Sequence, residues 1–227
     1  MKIIILKMKK IFVIVLLVFF KLQLTAQTHK LAFSTSKGTF KVVLYDFTPK
    51  HKQLILNAVK DSVYKDAFFN RIIKNFVVQG GEHDESIAER EKNIDLNKRQ
   101  RLQPEFNNRA FHKLGALGAG RDENIEKASF LNQIYFVVGK PVSKTELKKI
   151  EQKKGVKFTK LQRKTYLKKG GLPRLDGDYT VFGEVYQGLD VLLELSKVAT
   201  DKNDYPLQEI KFNVKEIFEK APVLFND

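Results

Sequence analysis

The run FFNRIIKNFVVQGG, Phe68 to Gly81, decides how this chain is read. It places one permanent cation, three phenylalanine rings, amide side chains and two glycines within fourteen residues, a set that few purely structural segments need. Arg71 follows Phe69 in an apolar, strand-like segment, and Lys74-Asn75 breaks it. Phe76 to Gln79 resumes the strand before Gly80-Gly81 lets the backbone turn.

Further blocks follow in order. Pro104-Glu105-Phe106 precedes HKLGALGAGR (His112 to Arg121), SFLNQIYFVV (Ser129 to Val138) and LDGDYTVFGEVYQGLDVL (Leu175 to Leu192). Together with Phe69, Arg71, Phe76, Gln79, Gly80 and Gly81 they resemble the signature of the cyclophilins, peptidyl-prolyl cis-trans isomerases, from about Lys30 to Phe218. Several blocks in the right order are far more specific than a lone glycine-rich match.

The resemblance implies a mainly β fold: a closed eight-stranded antiparallel barrel capped by two helices, with its binding groove outside the barrel. It also implies roles. Arg71 is expected to be the key cation, Gln79 to orient it by a hydrogen bond, and Phe76, Val77, Tyr135 and Leu175 to form an apolar slot for proline. Gly120, Arg121 and Gln133 would lie along the extended substrate, and Tyr179 would offer its hydroxyl to a substrate carbonyl. Departures from the family pattern are Asn70 for His, Gly120 for Ala, Arg121 for Asn, Leu131-Asn132 for Gly-Ser, Ile134 for Phe and Arg174 for Trp. They put the shape and charge of the groove wall in question, and no tight cyclosporin binding is expected.

The chemistry suits such a site. Resonance gives the peptide bond a rotation barrier of about 18–20 kcal/mol, whereas cis and trans X-Pro differ by only about 0.5–1 kcal/mol. A catalyst must therefore favour a twisted amide, which calls for an apolar grip on the ring, donors for the carbonyls and a nearby cation. No cofactor is required. His29, His51, His83 and His112 lack zinc-site spacing, Gly115 to Gly120 is not a phosphate-binding fingerprint, and no metal is assigned.

Taken singly, the same residues have blander explanations. A lone arginine on a strand is usually a surface cation with a buried stem, and Phe76 or Tyr135 alone would be core. The rival function is a cyclophilin-like binding module or chaperone that uses the groove without useful turnover.

The N-terminus carries Lys2, Lys7, Lys9 and Lys10, an apolar run from Ile11 to Phe20, and a polar stretch ending at Ala26. This predicts a signal peptide over residues 1–26, and a domain over 27–227 exported to the periplasm or exterior. An uncleaved anchor is the alternative, although Lys21 ends the run short of the roughly 20 residues a span needs. Without cysteine there is neither a disulfide framework nor a lipid-anchor site. Stability must come from the core, for which 18 phenylalanines provide bulk.

Leu31–Thr35, Thr39–Tyr45, Gly115–Ala119, Gln133–Val138, Tyr179–Val185 and Ile210–Val214 read as further strands. Thr48-Pro49 opens a helix to about Asp61, with Leu54, Leu56, Ala58 and Val59 as its apolar face. Gly188–Val198 reads as a second helix, and the charged stretch Glu82–Gln103 as a solvated loop. An insertion over about 140–170 has capping-box spacing at Ser143/Glu146 and Thr159/Gln162, and glycines at 155 and 170, which predicts a helical hairpin. Leu147, Ile150, Phe158, Leu161 and Tyr166 are expected to pack it on the barrel. Residues 141–170 hold 11 Lys or Arg against two Glu, hence nearly all the excess charge of a chain that is +15 overall and +10 without residues 1–26. Solvated helix faces explain this; a docking patch for an anionic surface or acidic client is the sharper reading. The expected partners are extended proline-containing segments, with no obligatory nucleic acid and a monomeric protein.

Overall fold

A computed structural model describes residues 29–219, so the expected signal peptide lies outside the described residues. Eight strands form a closed barrel: β1 (Lys30–Thr35), β2 (Gly38–Leu44), β3 (Ala67–Ile73), β4 (Val77–Gly81), β5 (Ala116–Ala119), β6 (Gln133–Val137), β7 (Val181–Gln187) and β8 (Lys211–Ile217). Around the barrel the order is β1-β2-β7-β5-β6-β4-β3-β8, with β8 returning to β1, and every pairing is antiparallel. Closure leaves no open sheet edge.

The alternation of strand side chains sorts two apolar clusters. Ile134 and Phe136 of β6 face inward, whereas Tyr135 and Val137 belong to a second cluster on the outer face with Val77, Leu172, Leu175 and Val181. The interior is aromatic. Phe33 stacks on Phe40 at 5.1 Å, Phe136 meets both edge-on, and Phe69 stacks on Phe212 at 4.4 Å. These rings fill the centre of the barrel, and the outer cluster is what a groove can be built on.

Helix α1 (Pro49–Lys60) packs with Ile55 and Ala58 buried, so its face is centred there and on buried His51, while Leu54, Leu56 and Val59 are only partly covered. Thr48 holds the N-cap position, yet its hydroxyl donates to the Tyr45 carbonyl. The cap comes from Glu105, whose carboxylate accepts the backbone N–H of Lys50 (3.0 Å) and His51 (2.9 Å) and bonds His51 Nδ1 at 2.7 Å. Local spacing could not disclose a partner 55 residues away.

The expected loop at 82–103 instead contains helix α2 (Asp84–Glu91) and a 3-10 turn (Leu96–Lys98). Ile87 anchors α2 in an otherwise polar sequence, Asp84 and Glu85 suit its first turn, and Arg101 clamps Glu91 through two bonds of 2.7 and 2.8 Å. One buried isoleucine gives too weak a periodicity to read.

The insertion is the expected hairpin: α3 (Lys144–Lys154) and α4 (Lys160–Lys168). Thr159 and Gln162 complete a reciprocal capping box, Ser143 accepts from the Glu146 N–H, and Gly155 ends α3 at φ 65°. Leu147, Phe158 and Tyr166 are buried against Phe111, with Ile150 at their margin; Leu161 is 44% exposed and does not contribute. Helix α5 (Leu189–Leu195) packs on the barrel core through Leu192 and Leu195. Among the described residues no helix is long and apolar enough to cross a membrane.

Candidate active site

The two signature strands create the site's geometry. Asn70 interrupts the β3–β4 register between Phe69 and Arg71, so Phe69 enters the core while Arg71 faces outward directly opposite Gln79. Gly81 adopts φ +89° as the chain leaves β4, a backbone state that L side chains rarely take. Gly80 has no room for a side chain either, since a Cβ there would lie 2.5 Å from the Phe68 carbonyl.

All ten residues singled out from the sequence meet in one recess of about 180 Å³ on the outer face. Arg71 and Gln79 stand on its signature-strand side, with Phe76, Val77, Tyr135, Leu175 and Tyr179 as apolar and aromatic lining, and Gly120, Arg121 and Gln133 completing it. Asp84 and Arg174 also line it. Asp84 belongs to the helix that had been read as loop, and it accepts a hydrogen bond from Gln133 Nε2 at 2.6 Å. Arg174 lies over the Phe76 ring at 4.4 Å, where a planar cation supplies the flat cover that an aromatic side chain would give.

One expected contact is not made. No hydrogen bond joins Gln79 to Arg71 among the described residues; Arg71 Nε instead lies 3.6 Å from Asp204 Oδ2, with both side chains more than a third exposed. Such an exposed, long pairing contributes little and is readily exchanged.

Beneath the lining runs a buried polar chain that sequence reading missed. Tyr166 of α4 donates to Asp176 Oδ2 at 2.5 Å, Asp176 Oδ1 bonds His112 Nδ1 at 2.7 Å, and His112 Nε2 lies 2.7 Å from the Tyr135 hydroxyl. With the Asp176 carboxylate accepting from Nδ1–H, Nε2 is left to accept from Tyr135. Burial, then Tyr179 and Asp176, push the Tyr135 hydroxyl well above the usual range, which keeps it a donor. Burial, then Asp176, does the same for Tyr166. The Tyr135 hydroxyl is thereby tied down inside the protein, and its ring is presented to the recess.

Two glycines make room within this wall, one of them the family departure Gly120. A Cβ on Gly118 would fall 2.3 Å from Tyr135 Cζ, and one on Gly120 would fall 2.1 Å from Gln133 Oε1. The bare glycines admit the tyrosine ring and the glutamine amide. Tyr179 meets Tyr135 edge-on at 6.0 Å, and Arg121 stacks over it at 4.6 Å.

Comparisons with known proteins agree with this picture. Residues 30–216 match the family described as cyclophilin type peptidyl-prolyl cis-trans isomerase/CLD. A Staphylococcus saprophyticus protein named "Putative peptidyl-prolyl cis-trans isomerase" is 29% identical over 192 residues, covering 84% of this chain and 92% of its own length. The Arabidopsis thaliana peptidyl-prolyl cis-trans isomerase CYP18-2 is 26% identical over 184 residues, covering 78% and 86%. In structure, a Cryptosporidium parvum cyclophilin type peptidyl-prolyl cis-trans isomerase superposes with a TM-score of 0.61 at 19% identity, over 86% of this chain and 99% of that one. The same protein in the presence of the dipeptide Ala-Pro gives 0.58, over 82% and 96%. With the ordered sequence blocks, the barrel and a family match over most of its length, the chain belongs to the cyclophilin-type peptidyl-prolyl cis-trans isomerases.

Proposed function

We propose that this protein catalyses X-Pro isomerisation in other polypeptides and assists the folding of exported proteins, with Arg71 as the key cation. The carrying observation is convergence: ten residues chosen from sequence blocks up to 108 positions apart line a single recess, with Arg71 beside an apolar floor. The proline ring lies on Phe76, Val77, Tyr135 and Leu175, and the planar Arg71 fork engages the prolyl carbonyl and favours the state in which amide resonance is lost. Gln79, opposite Arg71, orients the guanidinium once substrate draws it from Asp204. Arg121 and Gln133 hold the extended chain beyond the proline. No covalent intermediate arises. Export rests on the charged and apolar pattern of residues 1–26 alone, and the basic hairpin offers a face to an anionic surface or acidic client.

The test is a time course of cis-to-trans conversion in a proline tetrapeptide, with Arg71→Ala beside the parent. Loss of at least about a hundredfold in kcat/KM, as for removal of one electrostatic donor, is expected. Equal rates would reject catalysis and leave the binding-module reading.

A further inference from the structure

The recess wall carries more positive charge than the isomerisation step itself requires. Besides Arg71, it is lined by Arg121 and Arg174, and its one lining carboxylate, Asp84, is engaged with Gln133. Neither Arg121 nor Arg174 forms an ion pair among the described residues. The carboxylates near Arg121 are committed elsewhere: Asp122 to Arg101 at 2.7 Å, and Asp178 to Lys127 and Lys154 at 2.7 and 2.6 Å.

Arg121 is nevertheless held in place, and exposed Arg174 is steered by a ring. Arg121 lies over Tyr179 and donates to the carbonyls of Asp178 (2.6 Å) and Asp122 (2.7 Å), and Arg174 lies over Phe76. A guanidinium stacked on a ring keeps N–H donors at its edge and loses little further freedom when it binds a carboxylate. Solvated lysines offer no such fixed geometry.

We infer that Arg121 and Arg174 form a subsite for a carboxylate, so that the preferred substrates carry Asp or Glu next to the proline. The inference rests on the proposal that proline enters this recess. The charged neighbour then meets a rim of three arginines against one already bonded aspartate. A lysine neighbour is repelled by the same rim.

The experiment uses the full chain and two peptide series, Ala-Xaa-Pro-Phe and Ala-Ala-Pro-Xaa, with Xaa as Glu, Ala or Lys. Isomerisation kcat/KM is measured together with Kd from peptide titrations followed by NMR. In at least one series Glu should exceed Lys by about tenfold at low salt, the scale expected from gaining one partly exposed ion pair and losing one repulsion. The ratio should shrink towards about twofold in 0.5 M NaCl and in Arg174→Gln with Arg121→Gln. Equal Glu and Lys values in both series, a preference for Lys, or a Glu preference that survives both salt and the double variant would overturn the subsite. Absence of turnover with every peptide while the Kd order holds would sink the isomerase reading and leave the subsite standing.

Discussion

The recess and the inserted hairpin are both rich in cations, but they hold them differently. In the recess, Arg121 and Arg174 lie over aromatic rings, and Arg121 is tied to two carbonyls. In the hairpin, of 11 Lys or Arg between residues 141 and 170, only Lys154 and Arg163 reach a carboxylate among the described residues. Charge density is highest where geometry is loosest. A fixed guanidinium can discriminate between states of a bound amide, whereas a mobile ammonium contributes a diffuse field that salt screens. Yet the regions are joined, because Tyr166 of the hairpin reaches Tyr135 of the recess through Asp176 and His112.

The sharpest way to break the contrast is Arg71→Ala. The side chain is 37% exposed, so unfolding midpoints should move little while kcat/KM falls at least about a hundredfold. A stability loss that tracks the activity loss would make Arg71 structural. Next in size is Gly118→Ala. Its new methyl would enter the space of the Tyr135 ring, and overpacking of this kind costs about 1–3 kcal/mol. Chemical denaturation should register that loss with a raised KM, since Tyr135 must shift out of the wall.

Tyr166→Phe asks whether the hairpin belongs to the site. It removes one buried hydroxyl and leaves Asp176 Oδ2 short of a donor, which should lower stability by about 1–2 kcal/mol. If the chain of bonds positions Tyr135, KM should also rise, by about twofold, and the NMR signals of the His112 ring should move. A stability loss without either change would confine the hairpin to scaffolding.

The strands were legible because each carries its own apolar or alternating pattern, with Ile134–Val138 an unbroken apolar run where both faces are covered, and the eight-stranded closure came from the family resemblance. The lining was named through the family resemblance of the blocks Phe69–Gly81, Gly115–Arg121 and Gln133–Val138, and these fall on strands that closure brings side by side. What escaped depends on distant partners. Glu105 caps α1, Arg101 fixes the end of α2, and Asp176 bridges His112 to Tyr166. None of these residues announces its partner by spacing. The Asp84 wall was lost with its helix, whose single buried isoleucine is drowned by charge.

A smaller effect should appear with pH. Burial lowers the pKa of His51, against the opposing pull of Glu105. In the unfolded chain the ring protonates near the ordinary value of about 6.5, and in the fold only at lower pH. Between those values unfolding takes up a proton, so stability should fall as pH drops through that window and level off below the folded pKa. The Glu105 carboxylate is desolvated, but the His51 and Lys50 N–H groups and the His51 ring outweigh this and lower its pKa, so its contribution fades only in more acid solution. Thermal melts from pH 7.5 to 5 should show the slope, and His51→Gln should flatten it.

The smallest effects belong to the hairpin lysines. Lys148 and Lys149 form no ion pair among the described residues and sit on exposed turns of α3. Replacing both by Gln should change stability by no more than about 0.5 kcal/mol, and the packing of Leu147 and Tyr166 should be untouched. If the recess alone reads substrate charge, the Glu-to-Lys peptide ratio measured at about 0.15 M salt should stay within about twofold of the parent, because exposed charges separated by more than a Debye length of about 8 Å are then largely screened. A large fall in that ratio would instead make the hairpin part of the substrate field, and the division between fixed and mobile cations would no longer describe how this protein selects its clients.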